Sequence, residues 1–303
     1  MGKIKTPIWK IRQSRSDKFF YFVTNLYLVL SFLVVLYPIV YIFSASFSST
    51  RAVMSGKVVL WPVELSLEGY KTVFRESKVL TGYLNTIFYT IIGTSISVIL
   101  TIMAAYPLSR KKFIGRNFIT YLFVFTFLFQ GGMIPMYLLV QNLHLLNTRA
   151  ALVIPNAIWV TNMIIARTYY QTNIPEELVE AGSLDGCSHF QFLFHVVLPL
   201  SKAITAVLVL YYAVGQWNAF FDAFLYLTNV KLFPIQIVLR DILVATQADT
   251  NLIADPELMI IQQGMAELLK YSLIIVVNVP IWLVYPFVQK YFVQGVMIGS
   301  IKG

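Results

Sequence analysis

Charge is scarce in this chain. Only 12% of its 303 residues are Asp, Glu, Lys or Arg, and 58% are hydrophobic. The charged share is roughly half that of soluble domains. A soluble core of this size needs a far more polar shell, so the composition excludes an ordinary soluble domain and indicates an integral membrane protein. Cysteine is scarcer still. Cys187 stands alone, which excludes an internal disulfide framework and a cysteine-built zinc cluster. A phosphate-cradling G-x-x-x-x-G-K-[ST] loop is also missing, so the chain is not expected to hydrolyse nucleotide itself. The net charge of +9 suggests nucleic acid in a soluble protein. Here the basic excess sits in tails and loops beside apolar runs, where it sets membrane topology, and no nucleic-acid partner is expected.

Long apolar runs are what the chain has instead. About 20 apolar residues cross the hydrocarbon layer as a helix. Runs of that kind lie near Phe19–Phe43, Leu84–Leu108, Phe118–Val140, Ala150–Ala166, Val196–Val214 and Tyr271–Val288. The fold class expected is therefore all-α: a polytopic membrane protein with six transmembrane helices. Residues 1–18 form a basic tail, 19–288 the membrane domain and 289–303 a C-terminal tail. The first run is too long for a cleaved signal segment and is taken as a retained span. Gly131-Gly132, three residues before Pro135, predicts a kink in the third span.

Lysine and arginine orient the spans. The tail with Lys3, Lys5, Lys10, Arg12, Arg15 and Lys18 and the loop with Arg110, Lys111, Lys112 and Arg116 are both expected in the cytoplasm. Six crossings then return the C-terminus to the cytoplasm, and the loop over about 167–195 faces inward.

That inward loop holds "PEELVEAGSLDGCSHFQFLFHVVLPL", Pro175–Leu200. Pro175 suits a helix start, and Glu176 and Glu177 suit its first turn, where the helix dipole favours acids. Gly186 is placed to end the helix in the left-handed conformation. Ser188-x-x-Gln191 fits a capping box that starts a second helix, which Phe190, Phe192, Leu193 and Phe194 carry into the fifth span. A metal site built from Glu180, Asp185, His189 and His195 is disfavoured, because the two histidines are six apart and point to different sides of a helix. Acid catalysis in a solvated loop lacks the burial that shifts carboxylate pKa values. Simple solvation does not explain the small residues Ala181, Gly182 and Gly186, and a helix that docks on a cytoplasmic partner does.

The stretch from Glu180 to Leu200 resembles the cytoplasmic EAA loop of ABC importer permeases. Glu180, Ala181, Asp185, Gly186, Leu198 and Pro199 match that pattern, and Gly182 and Cys187 stand where alanines are usual. "GQWNAFFDAFLYL", Gly215–Leu227, and "QKYFVQGVMIGSIKG", Gln289–Gly303, are similar to segments of the carbohydrate group of these permeases, of the LplC and YtcP type. The resemblance covers essentially the whole chain. It implies a non-catalytic pore subunit in a bacterial cell membrane. Its partners would be a second homologous permease, two ATPase subunits and an extracellular or periplasmic solute-binding protein that delivers a carbohydrate. The chain would bind no cofactor; ATP and Mg would belong to the ATPase. Glu180, Ala181, Gly182, Asp185 and Gly186 would form the cytoplasmic coupling helix, and Gly295 and Gly299 of the tail would lie along the ATPase. A permease for peptides, amino acids or other small solutes is the alternative within the family. An intramembrane enzyme would need clustered catalytic groups at membrane depth, and an ion-driven transporter would show buried carboxylates and internal repeats. Neither pattern is present.

Polar groups inside spans are costly and usually face a pore or another helix, and sugars take hydrogen bonds together with flat apolar faces. The pathway candidates on these grounds are Asn85, Gln130, Asn156, Trp159, Tyr212, Gln216, Trp217 and Asn218, with Asn162 and Asp222 nearby.

Overall fold

The computed structural model describes residues 14–248 and 256–300, with side-chain surroundings for 14–244 and 264–286. Among the described residues the elements are helical. The first is α1, Arg15–Ser46, started by the Ser14 N–H donating to the Asp17 carboxylate at 2.9 Å. The most apolar part of α1 is wholly uncovered by the rest of the chain, with Phe19 71% and Val34 73% exposed. An apolar surface of that extent is stable only in lipid or against another protein. Only its last turn, Ser44–Ser46, is buried. Two short helices follow, α2 (Thr50–Met54) and α3 (Glu68–Arg75), and both pack on the last long helix.

The centre of the bundle is α4, Ser77–Ser109. Gly82, Thr86, Gly93, Ser97 and Thr101 are buried along it at helical spacing, a seam of small residues that lets neighbouring backbones come close. A Cβ at Gly82 would lie 3.1 Å from the Ile235 Cα, and one at Gly93 would lie 2.9 Å from the Gln216 amide. The neighbours across this seam are α12 (Lys202–Asn218) and α14 (Ile235–Ala248), while α8 (Val160–Asn173) packs on another side.

The expected runs depart from straight helices where proline or glycine interrupts them. The third is split into α5 (Arg116–Leu128) and α6 (Met133–Asn142), bent by 115° about Gly132 at φ +88°, the kink that Gly131-Gly132 predicts. The fourth run is not one helix. It ends as α7 (Ala150–Val153) before Pro155 and restarts at Val160 as α8, which continues to Asn173. At ~1.5 Å per residue α8 covers only about 21 Å, short of the ~30 Å hydrocarbon layer. The fifth run also breaks. The segment His189–Leu200 meets α12 at 85° across Ser201, so the helix begun at Ser188 does not run straight into the span as expected. A π-helical turn at Leu193–Val197 and Pro199 disturb the hydrogen-bond ladder there. Among the described residues three helices are long and apolar enough to cross a membrane, or up to five if each bent pair counts as one span, against the six runs expected.

The last helix, α15, runs Pro256–Ser300 through Pro280 and Pro286. Residues 289–300, expected as a separate tail, continue it. A proline in a helix leaves the carbonyl four residues before it without its usual donor. For Pro280 that is Val276, and the Tyr83 hydroxyl donates to it. The neighbouring Val277 carbonyl accepts from the Trp217 indole N–H at 3.1 Å. Side chains of α4 and α12 thus repair the defect, as a proline at membrane depth requires.

Gly215 of α12 makes a tight contact, because a Cβ there would run into the Trp159 ring. Gly215→Ala gains helix propensity but overpacks this contact, so we expect a net loss of about 1–2 kcal/mol, read as a lower melting temperature of the detergent-solubilised chain. An unchanged or higher value contradicts the packing described.

Candidate functional site: a clamped loop helix and a polar cavity

The loop helix α9 spans Glu176–Leu184, with Pro175 at its N-cap and Asp185 at its C-cap. Its end is closed by two reversed bonds, Cys187 N–H to the Gly182 carbonyl (2.9 Å) and Gly186 N–H to the Ser183 carbonyl (3.2 Å). This arrangement requires a left-handed residue after the cap, and Gly186 supplies it at φ +76°. The next helix, α10 (His189–Phe192), starts with the reciprocal Ser188–Gln191 bonds at 3.3 and 2.8 Å. The second small residue also has an internal reason. A Cβ at Gly182 would sit 2.7 Å from the Phe192 ring, so glycine there lets α10 fold back on α9. Asp185 is exposed, and its carboxylate makes no hydrogen bond among the described residues.

What leaves α9 exposed is as informative. Ala181 is exposed and Leu184 is 90% exposed. A cavity of about 800 Å3, lined by Met103, Tyr106, Phe113, Val179 and Leu193 among others, separates one flank of α9 from α4. The helix is therefore held at few points. One is Glu180, which accepts from Lys112 at 3.1 Å, with both side chains largely in solvent, where such a pair contributes little.

The firm attachment is Arg110, which the sequence reading used only to set topology. Its guanidinium is buried where α4 ends. It donates to the Tyr170 carbonyl at 2.6 Å, the Ile174 carbonyl at 3.0 Å and Ser109 Oγ at 2.9 Å. Glu176, the first residue of α9, lies 3.7 Å away, and the Tyr106 ring lies 5.6 Å beneath it. The two carbonyls lie at the end of α8, where helical partners run out: the Tyr170 carbonyl also accepts the Ile174 N–H at 3.3 Å, and Arg110 is the partner of the Ile174 carbonyl. Burial pulls the Arg110 pKa below its usual value, and Glu176 and then Tyr106 oppose that shift. Arg167 adds a second tie from α8 by donating to the Leu108 carbonyl at 2.9 Å. Three segments thus meet on one cation: the end of α4, the end of α8 and the start of α9.

The pathway candidates divide into two groups, those that line one cavity and those that do not. Asn156, Trp159 and Gln216 line a cavity of about 90 Å3 with Tyr89, Gly215, Asp222 and Pro234. Here Asp222 accepts from the Asn156 amide at 2.8 Å. Asp222 lies on α13, Phe221–Tyr226. Burial raises its pKa and the Asn156 bond lowers it. The remaining candidates are not brought to this cavity. Asn85 is buried and ties the Lys231 and Phe233 carbonyls at 2.8 and 3.1 Å. Tyr212 is fully buried, with its hydroxyl between Thr101 (2.6 Å) and the Trp159 N–H (3.0 Å). Trp217 is held on Val277, Asn162 is buried away from the cavity, and Asn218 bonds to Val214 in its own helix. Gln130 is exposed at the α5–α6 bend. Gly295 and Gly299 fall in the last turns of α15, and their surroundings lie outside the described residues. Among those residues no three His, Cys, Asp or Glu side chains come together as metal ligands would.

Comparison with known proteins agrees with this geometry over nearly the whole chain. Residues 74–298 match the family described as "Binding-protein-dependent transport system inner membrane component". The chain is 38% identical over 287 residues to the polygalacturonan/rhamnogalacturonan transport system permease protein YtcP of Bacillus subtilis, covering 91% of this chain and 96% of that one. It is 40% identical over 271 residues to LplC of the same organism, covering 88% and 89%. Among solved structures, a bacterial ABC transporter involved in import of the acidic polysaccharide alginate superposes with a TM-score of 0.84 at 35% identity, covering 92% of this chain and 99% of that one.

Arg110→Met keeps the apolar stem but removes the donors, leaving the Ile174 carbonyl and Glu176 without this partner and the Tyr170 carbonyl with only the Ile174 N–H. We expect a loss of about 2–4 kcal/mol, seen as a lower melting temperature together with faster proteolysis of the 167–195 loop. Wild-type protection of that loop in the variant would show that the clamp is not what holds α9.

Proposed function

Since the chain belongs to the family of binding-protein-dependent transport inner-membrane components, we propose that it is the pore-forming permease subunit of an ATP-driven importer of oligosaccharides or sugar derivatives. The carbohydrate class rests on the substrates named for its relatives. Hydrolysis of ATP with Mg belongs to separate ATPase subunits, two per importer, and a second permease completes the pore. A solute-binding protein delivers the sugar on the outside. The basic turn after α4 and the loop with α9 face the cytoplasm, as do both termini, consistent with the lysine and arginine distribution.

The observation that carries the mechanism is the exposure of α9 on a fixed base. A short helix with Leu184 90% exposed and Ala181 on its surface suits insertion into an apolar groove of a partner, with the exposed side chains as anchors. Its base is held by Arg110 to α4 and α8. When the ATPase dimer closes and displaces α9, those helices receive the displacement as one body, and the pore switches between inward- and outward-facing states by rigid-body rotation. Asp185, whose carboxylate has no hydrogen-bond partner among the described residues, is left for the partner. Glu180 is shared between Lys112 and that partner. The uncovered face of α1 is assigned to lipid and to the second permease. On the outer side, Asn156, Trp159 and Gln216 line the sugar pathway.

Leu184→Glu and Ala181→Glu place a carboxylate in the docking groove without touching the Arg110 clamp. In a pull-down from the native membrane, each variant should recover at least about tenfold less ATPase subunit than wild type while inserting normally. Undiminished recovery contradicts docking through α9. The ligand carried by the co-purified delivery protein tests the substrate class: an oligosaccharide agrees, and a peptide or amino acid contradicts it.

A further inference from the structure

The cavity between α4, the α7–α8 break, α12 and α13 carries an asymmetry of charge. Among the described residues lining it there is one carboxylate, Asp222, and no lysine or arginine. One lone-pair face of that carboxylate is used by the Asn156 amide at 2.8 Å, and its second oxygen has no partner among the described residues. Gln216 faces the same space. Its side chain belongs to a residue only 9% exposed, pressed against Gly93, and its amide makes no hydrogen bond among the described residues. The amide opens to the cavity, where a ligand hydroxyl would take the place of water on it. The third wall is flat and apolar: the Trp159 ring, held by Gly215 on one side and by Tyr212, 5.0 Å away between ring centroids. A volume of about 90 Å3 equals the share of about three water molecules and accommodates the edge of one sugar ring rather than an oligosaccharide.

We infer that this cavity is a subsite for the edge of an uncharged, hydroxyl-rich sugar ring, and that Asp222 makes it reject uronates. The inference rests on the carbohydrate reading above and goes beyond it by assigning the charge class of the sugar. Asp222 accepts from ring hydroxyls, which donate; the Gln216 amide both donates and accepts; Trp159 covers the apolar face of the ring. A substrate carboxylate entering here meets Asp222 with no basic group lining the cavity, the nearby Arg149 being engaged by Asn85 at 3.4 Å and by the Phe88 ring, and like charges in a partly desolvated site are strongly unfavourable. The acidic polymers handled by some relatives are therefore not expected at this position.

The test uses the whole importer, this chain with its co-purified permease, ATPase subunits and delivery protein, reconstituted in proteoliposomes. ATP-driven uptake is measured for neutral trisaccharides and for uronate trisaccharides of the same length. Wild type should favour the neutral series. Asp222→Asn, which is isosteric and keeps an acceptor for Asn156, should raise KM for neutral sugars about tenfold and narrow the preference over uronates. Gln216→Asn withdraws the amide without adding volume and should raise KM in the same direction. Recovery of the ATPase in the purified complex confirms assembly of each variant. A wild-type preference for uronates overturns the inference, and so does neutral uptake with unchanged KM in both variants. If wild type moves neither series but moves another solute, the carbohydrate reading itself fails, and this inference falls with it.

Discussion

A helix that ends inside a protein needs new partners for its last carbonyls, and at the end of α8 a buried cation supplies one to Ile174 and a second to Tyr170, whose carbonyl also takes the Ile174 N–H. Arg110 fills the Tyr170 and Ile174 carbonyls, and in doing so brings the end of α4 and the start of α9 to the same point. A guanidinium suits the task because its planar fork offers several donors in fixed directions while remaining charged even when burial opposes it. Removing one partner from such a buried set leaves the others unsatisfied. The geometry of the loop helix therefore depends on this residue more than on its own solvent-exposed Glu180–Lys112 pair.

The same logic of satisfying freed backbone groups runs through the membrane part. Pro280 interrupts α15, and Tyr83 and Trp217 donate to the carbonyls at Val276 and Val277. The buried small residues of α4 let α12 and α14 approach closely enough for those side chains to reach. Gly215 lets Trp159 lie flat on α12, and Tyr212 fixes the same ring region from below. Close backbone contact at one level thus positions both the repair of a proline defect and the wall of the polar cavity. The polar cavity meets α4 near its middle, at Tyr89, and the clamp closes its C-terminal end, so both sites are built on one continuous helix.

Much of the loop was legible from residue type alone. Pro175, Gly186 and the Ser188–Gln191 pair each require a specific backbone conformation, and the structure has them where that chemistry demands. The bend at Gly131-Gly132 was legible for the same reason. Partnerships distant in sequence were not. Arg110 is one of four basic residues in a loop, and counting charge cannot separate the buried one from Lys111, Lys112 and Arg116; the signal lay in its place directly after a long apolar helix. Gly182 suggested a partner contact, yet its neighbour is Phe192, ten residues on. Asn85, Tyr212 and Trp217 are polar groups of membrane helices that bond internal carbonyls, hydroxyls and N–H groups, partnerships that only the three-dimensional arrangement reveals. Hydropathy alone located the fourth and fifth runs but not their breaks, because Pro155 and Pro199 are tolerated in some membrane helices and interrupt these.

The central claim is that α9 and α4 move as one body because Arg110 joins them. Cys187, exposed and free just beyond α9, accepts a spin label without mutation, and Ile99→Cys on an exposed position of α4 accepts the second. In the assembled importer, pulsed electron–electron distance measurement between these labels should give the same distribution, within about 2 Å, with and without trapped ATP, although the pore as a whole changes state. A shift of more than about 5 Å on ATP binding, comparable to one helical turn, would mean that α9 swings independently of α4 and would contradict the clamp.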